Sequence, residues 1–192
     1  MNRTTLIALA AVFLTPVVLA VLLHSQWLEW EPAQTRNHGE LLEPPPRLPK
    51  IEAPEQADRP GRDHLISVDW QLLHYRRNGC DQDCLESLYW LRQVRRAQNR
   101  HQPEIGLLLV TPVALDSSTR AQIEALSDPI AIIDGAAGRS LSSGLPVQSA
   151  DVVSYIIDPR RHIILRYPAD TDFNGMRRDL SRLLTWTRTD AQ

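Results

Sequence analysis

The sequence predicts an α/β domain, a mixed sheet flanked by helices, set behind a single N-terminal membrane span. Three observations predict it. Leu6 to Leu23 is an uncharged run of 18 residues, at the short end of what a transmembrane helix needs. The stretch from Glu31 to about Arg62 is rich in Pro, Glu and Gln, and includes Pro44-Pro45-Pro46. Beyond it, apolar runs of strand length alternate with segments whose apolar residues recur every three or four positions. The chain therefore divides into a cytoplasmic tip and anchor over 1–24, a Pro-rich spacer over 25–62, and a folded domain over 63–189.

The anchor has a direction. Arg3 precedes the run, and Glu29 and Glu31 follow it. Positive charge is retained in the cytoplasm, so the amino terminus should stay inside and the domain should face the periplasm. Pro16 kinks such a helix without forbidding it. A cleaved signal peptide is the competing reading, but its apolar core is normally shorter and no convincing A-x-A cleavage site precedes His24. An uncleaved anchor is favoured, and Trp27 and Trp30 suit the aromatic belt of the outer interface. Eight of the fourteen prolines fall between Pro16 and Pro60, and all but Pro16 lie in the spacer, which makes it semi-extended. Within it, Asn37-His38-Gly39-Glu40-Leu41-Leu42 is less linker-like. It either packs on the domain, touches a partner, or is part of the flexible tether.

In the domain, Val68 to Tyr75 reads as a strand covered on both faces. Leu85, Leu88, Leu91 and Val94 give an amphipathic helix to about Asn99, with Arg92, Arg95 and Arg96 as its solvated face. Ile105 to Val110 is a buried strand ended by Thr111-Pro112. Asp116 or Ser117 caps a helix to about Leu126. Ile130 to Ile133 is a short strand, and Ala136 to Ser149 reads as a loop with at most a turn of helix. Val152 to Ile157 and Ile163 to Tyr167 form a hairpin around Asp158-Pro159-Arg160-Arg161. A last helix from about Thr171 carries Phe173, Met176, Leu180, Leu183 and Leu184 on one face, with Asp170 or Asp172 as its cap.

Composition narrows the function. A net charge of −2 shows no basic excess, which argues against nucleic acid as a partner. No G-x-S-x-G, H-E-x-x-H, G-x-G-x-x-G or P-loop pattern occurs. Only two cysteines are present, Cys80 and Cys84, four residues apart where a strand gives way to a helix. Positions i and i+4 share a helix face, so both sulfurs can meet. A helix N-terminus also favours the thiolate, through its positive dipole end and free N–H groups. Asp81 and Asp83 oppose that by like-charge repulsion, and Arg76 and Arg77 favour it. Three readings follow: a redox disulfide, a soft-metal site for Cu(I) or Zn, or two small side chains with no further role.

The order βαβα, a short strand, a β-hairpin and a helix is that of a thioredoxin-like fold, whose sites lie at the C-terminal ends of parallel strands. The anchor, the spacer, the C-x-x-x-C after the first strand and Tyr155-Ile156-Ile157-Asp158-Pro159 together resemble the SCO/SenC proteins of cytochrome c oxidase assembly. The anchored, NHGELL-containing form resembles a divergent proteobacterial branch of them. The resemblance spans about residues 65–187. It implies a single-pass inner-membrane protein with a periplasmic domain, and one copper held by two cysteines and a histidine. It further implies delivery of that copper to the CuA site of oxidase subunit II, or reduction of that site's thiols. An oxidase subunit or another assembly factor would be the partner. Cys80 and Cys84 carry over as the cysteines.

The family histidine does not carry over: its place is held by Ala150, with Asp151 beside it. Two thiolates alone favour linear Cu(I) and serve Cu(II) poorly. His74, six residues before Cys80, is the first substitute ligand to test, and His162 the second. The family's proline after the second cysteine is replaced by Leu85. The resemblance thus favours thiol–disulfide exchange or Cu(I) handling, as a thiol–disulfide oxidoreductase if the chain is an enzyme. The alternative is a non-catalytic docking module of the assembly machinery with a structural disulfide. A general periplasmic oxidoreductase is a third reading, against which the wider cysteine spacing argues.

Overall fold

The computed structural model describes residues 3–4, 11–17, 37–49, 68–126, 129–147 and 150–186. It forms two compact units, Met1–Arg36 and Asn37–Gln192. In the first, residues 11–17 are helical. The span read over Leu6–Leu23 lies largely outside the described residues, and among those described no helix is long and apolar enough to cross a membrane.

The second unit is a six-stranded mixed sheet. Its elements are β1 (Glu40–Leu41), β2 (Trp70–Arg76), α1 (Gln82–Arg96), β3 (Ile105–Val110), α2 (Ser117–Glu124), β4 (Ala131–Ile133), α3 (Gly135–Ser142), β5 (Val152–Ile157), β6 (Ile163–Pro168) and α4 (Phe173–Trp186). A 3-10 segment, Asn99–Glu104, joins α1 to β3. The strand order is β1-β6-β5-β2-β3-β4. β2, β3 and β4 are parallel, whereas β5 runs antiparallel to β2, and β6 to β5.

β2 is central and buried on both faces, as its near-continuous apolar run requires. Trp70 and Leu72 face a core shared with Leu88, Leu91 and Val94 of α1, Ile123 of α2, and Met176, Leu180 and Leu184 of α4. Leu73 and Tyr75 alternate to the other face, against Leu48, Leu141 and Leu145. The strands and helices fall within a few residues of their sequence positions, with two corrections.

The first concerns the arginines of α1, read as a solvated face. Arg95 is 7% exposed and its Nε donates to the Ile105 carbonyl (2.6 Å). Arg92 donates to the Leu126 carbonyl and stacks its guanidinium over the Tyr89 ring. Arg95 instead ties α1 to the start of β3, and Arg92 ties it to the segment after α2. The second concerns the stretch read as a loop from Ala136, where Gly135–Ser142 is a two-turn helix. A Cβ on Gly138 would fall on the Thr111 carbonyl, so the small residues that suggested a turn are there for close helix–sheet packing.

Within the stretch assigned to the spacer, Asn37 to Pro49 docks on the domain. β1 pairs antiparallel with β6, Leu48 is buried, and Arg47 bridges to His162. The pin is Asp179 of α4, 1% exposed. Its Oδ2 accepts the backbone N–H groups of His38 (2.8 Å) and Gly39 (3.0 Å) and the Tyr167 hydroxyl (2.9 Å). His38 Nδ1 lies 3.1 Å from Oδ1. Two glycines make room: a Cβ on Gly39 would collide with the Tyr167 ring, and one on Gly175 would stand 2.7 Å from His38 Cβ.

Asp179→Ala strands donors of the His38-Gly39 segment and of Tyr167 on β6, so unfolding free energy should fall by about 2–4 kcal/mol. Urea titration of the full chain measures this. Trypsin should also cut after Arg47 faster than in the unsubstituted protein.

Candidate functional site

The site is built by the turn from β2 into α1. β2 ends at Arg76, and Gly79 takes φ 88°, a conformation open to glycine. The space over Gly79 is bounded by Val113 and Leu115, 3.7 and 3.9 Å from where a Cβ would stand. That neighbouring loop is fixed in turn by Asp134, which accepts the Leu115 N–H (2.7 Å) and pairs with Arg120.

Cys80 precedes the helix by two residues, and Cys84 lies in its first turn. They form a disulfide with Cα atoms 5.1 Å apart. Asp81 is the N-cap: its Oδ1 accepts the Cys84 N–H (2.9 Å) and pairs with Arg76. Arg77 is ion-paired to Asp151 (2.8 Å), and its backbone N–H donates to the Asp151 carbonyl (2.9 Å). Arg76 and Arg77 thus each have a carboxylate of their own. The sulfurs are unequal. Cys84 is fully buried, packed with Leu72, Leu88 and Leu107, while Cys80 is half-buried at the rim.

His74 is buried at 1% exposure on β2. Its Nδ1 meets the Ser154 Oγ at 2.9 Å, and its Nε2 has no hydrogen-bond partner. Burial, reinforced by the Arg76 charge, pushes its pKa down to about 3, with Asp81 opposing. Among the described residues no three His, Cys, Asp or Glu side chains converge into a metal-binding group. His74 is therefore not gathered with the two sulfurs into a three-ligand centre. His162 sits at the hairpin turn, its N–H bonded to Asp158 Oδ1 (2.7 Å). Ile157 pairs with Gln71 at the start of β2, so that turn lies at the opposite end of the sheet from Cys80. Ala150, in the place where the resemblance puts a histidine, adjoins the site through Arg77, whose Nη2 reaches its carbonyl at 3.4 Å.

Ser154 and the Val113 loop are site residues that the sequence did not reveal. Ser154 meets His74 only through the β2–β5 register, and no local pattern fixes a register between strands nearly eighty residues apart.

The model of a protein family described as transmembrane-like, thioredoxin-like, C-terminal domain matches residues 70–187. The chain belongs to that family. Solved structures place this thioredoxin-like domain beside apo Sco1 from Thermus thermophilus, 14% identical with a TM-score of 0.56 over 80% of this chain and 99% of that one. A thiol:disulfide interchange protein from Bacteroides sp. is 10% identical, with a TM-score of 0.53 over 72% and 88%. Yeast Sco1 with copper bound is 16% identical, with a TM-score of 0.50 over 62% and 81%. At these identities the likeness is one of fold, and in fold the resemblance to the SCO/SenC proteins holds. No curated protein matches the sequence.

Unfolding returns the His74 imidazole from about 3 to its ordinary 6.5, so between those values the unfolded chain binds the extra proton. Stability should rise with pH through that window, and fall on acidification by at most about 1.4 kcal/mol per pH unit from this group. Urea unfolding at pH 7, 6, 5 and 4 checks this. The His74→Phe variant should show the shallower pH dependence.

Proposed function

We propose that this chain is a membrane-anchored periplasmic assembly factor for cytochrome c oxidase. It acts by thiol–disulfide exchange, or by handling Cu(I), through Cys80 and Cys84. The observation that carries the reading is the asymmetric pair: a disulfide at the C-terminal edge of β2, with Cys80 partly exposed and Cys84 buried. The names of proteins sharing the fold support it, since they include Sco1 with copper bound and a thiol:disulfide interchange protein. Residues 1–24 serve as anchor and 25–62 as spacer, with Asn37 to Pro49 lying along the domain.

In exchange, the dithiol form presents Cys80 as a thiolate at the N-terminus of α1. It attacks one sulfur of a client disulfide, the client S–S bond breaks, and the departing client sulfur takes a proton from solvent. Cys84 then attacks Cys80 in the mixed disulfide. The Cys80–Cys84 bond forms, the second client sulfur leaves, and the client has gained the two electrons the pair has lost. The same steps reversed oxidise a client dithiol. For copper as cargo, two thiolates without an imidazole fit Cu(I) in linear geometry and do not provide the third ligand that retains Cu(II).

In the full chain, Cys84→Ser should trap a mixed disulfide between Cys80 and a peptide carrying the oxidase CuA cysteines, seen by non-reducing electrophoresis. Cys80→Ser should trap none. Equal trapping by both variants would reverse the roles given to the sulfurs, and trapping by neither would favour the docking module.

Reduced protein should bind one Cu(I), with affinity lowered by more than about 100-fold in either Cys→Ser variant. Competition with a chromogenic Cu(I) chelator measures it. Cu(II) should be held weakly and retained better by Ala150→His. Tight Cu(II) binding that is lost in His74→Ala would overturn the two-ligand site.

A further inference from the structure

We propose that Asp81 is a positioning residue whose side chain holds the Cys80–Cys84 turn together when the disulfide is open, and so sets the effective concentration of one thiol at the other. The inference rests on the exchange reading above for its use, and on the contacts of Asp81 for its content.

Cys80 lies outside α1 and Cys84 inside its first turn, so the pair straddles the helix boundary. An open chain of that length takes many conformations, and few of them bring the sulfurs together. While the bond exists, the bond itself enforces the approach. Once it is cut, the approach depends on contacts that involve neither sulfur, and Asp81 makes three of them. Its carbonyl accepts the Leu85 N–H (3.0 Å) and its Oδ1 accepts the Cys84 N–H (2.9 Å), which fixes the backbone of α1 at and just after Cys84. The same Oδ1 pairs with the guanidinium of Arg76, the last residue of β2. Residues 76 and 81 are thus joined through their side chains, and the segment between them, which carries Cys80, is a loop with both ends held. The Arg76 side chain is only 12% exposed and makes a firm post, whereas that of Asp81 is 64% exposed, so replacing it disturbs no core.

The two redox states feel the loss of this cap differently. In the disulfide, the first turn of α1 cannot relax, and the full cost of an unmet N–H is borne. In the dithiol, the turn frays and escapes part of that cost. Removing the cap therefore shifts the equilibrium toward the dithiol, because the thiols spend less time within reach of each other.

The test is the equilibrium of the purified full chain with glutathione, the two forms being separated by alkylation mass shift. The protein dithiol and one oxidised glutathione give the protein disulfide and two reduced glutathiones, so two electrons and two protons pass from the cysteines to the glutathione bond. The constant is itself a concentration. Asp81→Ala, which removes the cap acceptor, should lower it roughly three- to tenfold. Asp81→Asn, which keeps a cap acceptor and loses the charge, should stay within about twofold of the unsubstituted protein. An unchanged constant in Asp81→Ala overturns the proposal, and so does an equal fall in both variants, which would assign the effect to charge. Asp116 caps α2 in the same way, accepting the Thr119 N–H (2.7 Å). Asp116→Ala should lower the urea midpoint about as much as Asp81→Ala and leave the constant in place. A fall there as large as in Asp81→Ala would mean that lost stability alone moves the constant, which overturns the proposal. A domain that unfolds on reduction overturns it too. Failure of the exchange reading is distinguishable: the constants would shift as described, yet Cys84→Ser would trap no mixed disulfide with the CuA-type peptide.

Discussion

The carboxylate of Asp179 is the constraint on which the arrangement of the second unit depends. Taking a carboxylate out of water is expensive unless its oxygens are met by donors. Here they are met from two separate pieces of chain: the His38-Gly39 segment, through two backbone N–H groups and the His38 ring, and the Tyr167 hydroxyl near the end of β6. The Tyr167 hydroxyl is driven well above its ordinary pKa by burial and by the adjacent negative charge, so it remains a donor. One side chain therefore fixes α4 against β6 and holds the upstream segment onto both. α4 in turn completes, with α1, the apolar layer in which Cys84 is buried.

Periodicity made most of this fold legible. The four long strands and the helices α1 and α4 carry runs whose period matches their burial, so length and apolar spacing sufficed to place them. α3 was not legible because Gly135, Gly138 and the serines also satisfy every local requirement of a loop. Only the contact with Thr111 reveals why the glycine is there. The burial of Arg95 was hidden for a similar reason, since a guanidinium that answers a distant carbonyl looks the same in sequence as one in solvent. Asp179 had a signal that went unread. It falls three residues after Met176 and beside Leu180, within the apolar stripe of α4, where a charge must have partners.

At the candidate site, the cysteines announced themselves by number and by their spacing where a strand gives way to a helix, whereas the N-cap role of Asp81 emerged only from the fold. What sequence could not supply was the inequality of the two sulfurs, because burial of Cys84 depends on side chains contributed by β2, β3 and α1 together. His74 was visible as a residue but not as an environment. Its silence as a base comes from desolvation, a property of the packed sheet rather than of its neighbours in the chain.

The two-residue β1 has a consequence for how other proteins meet this domain. It occupies the outer edge of β6, and the opposite edge is the three-residue β4. Both borders of the sheet are thus too short to template an added strand, the usual route by which an open sheet captures an extended peptide. Lateral recruitment is closed off, and the surface left to a visitor is the rim where strands turn into helices. On the exchange reading proposed above, a client would approach along the strand axis, toward the partly buried Cys80. Its grip would then come from loop side chains such as those of Val113 and Arg77 rather than from a ladder of main-chain bonds.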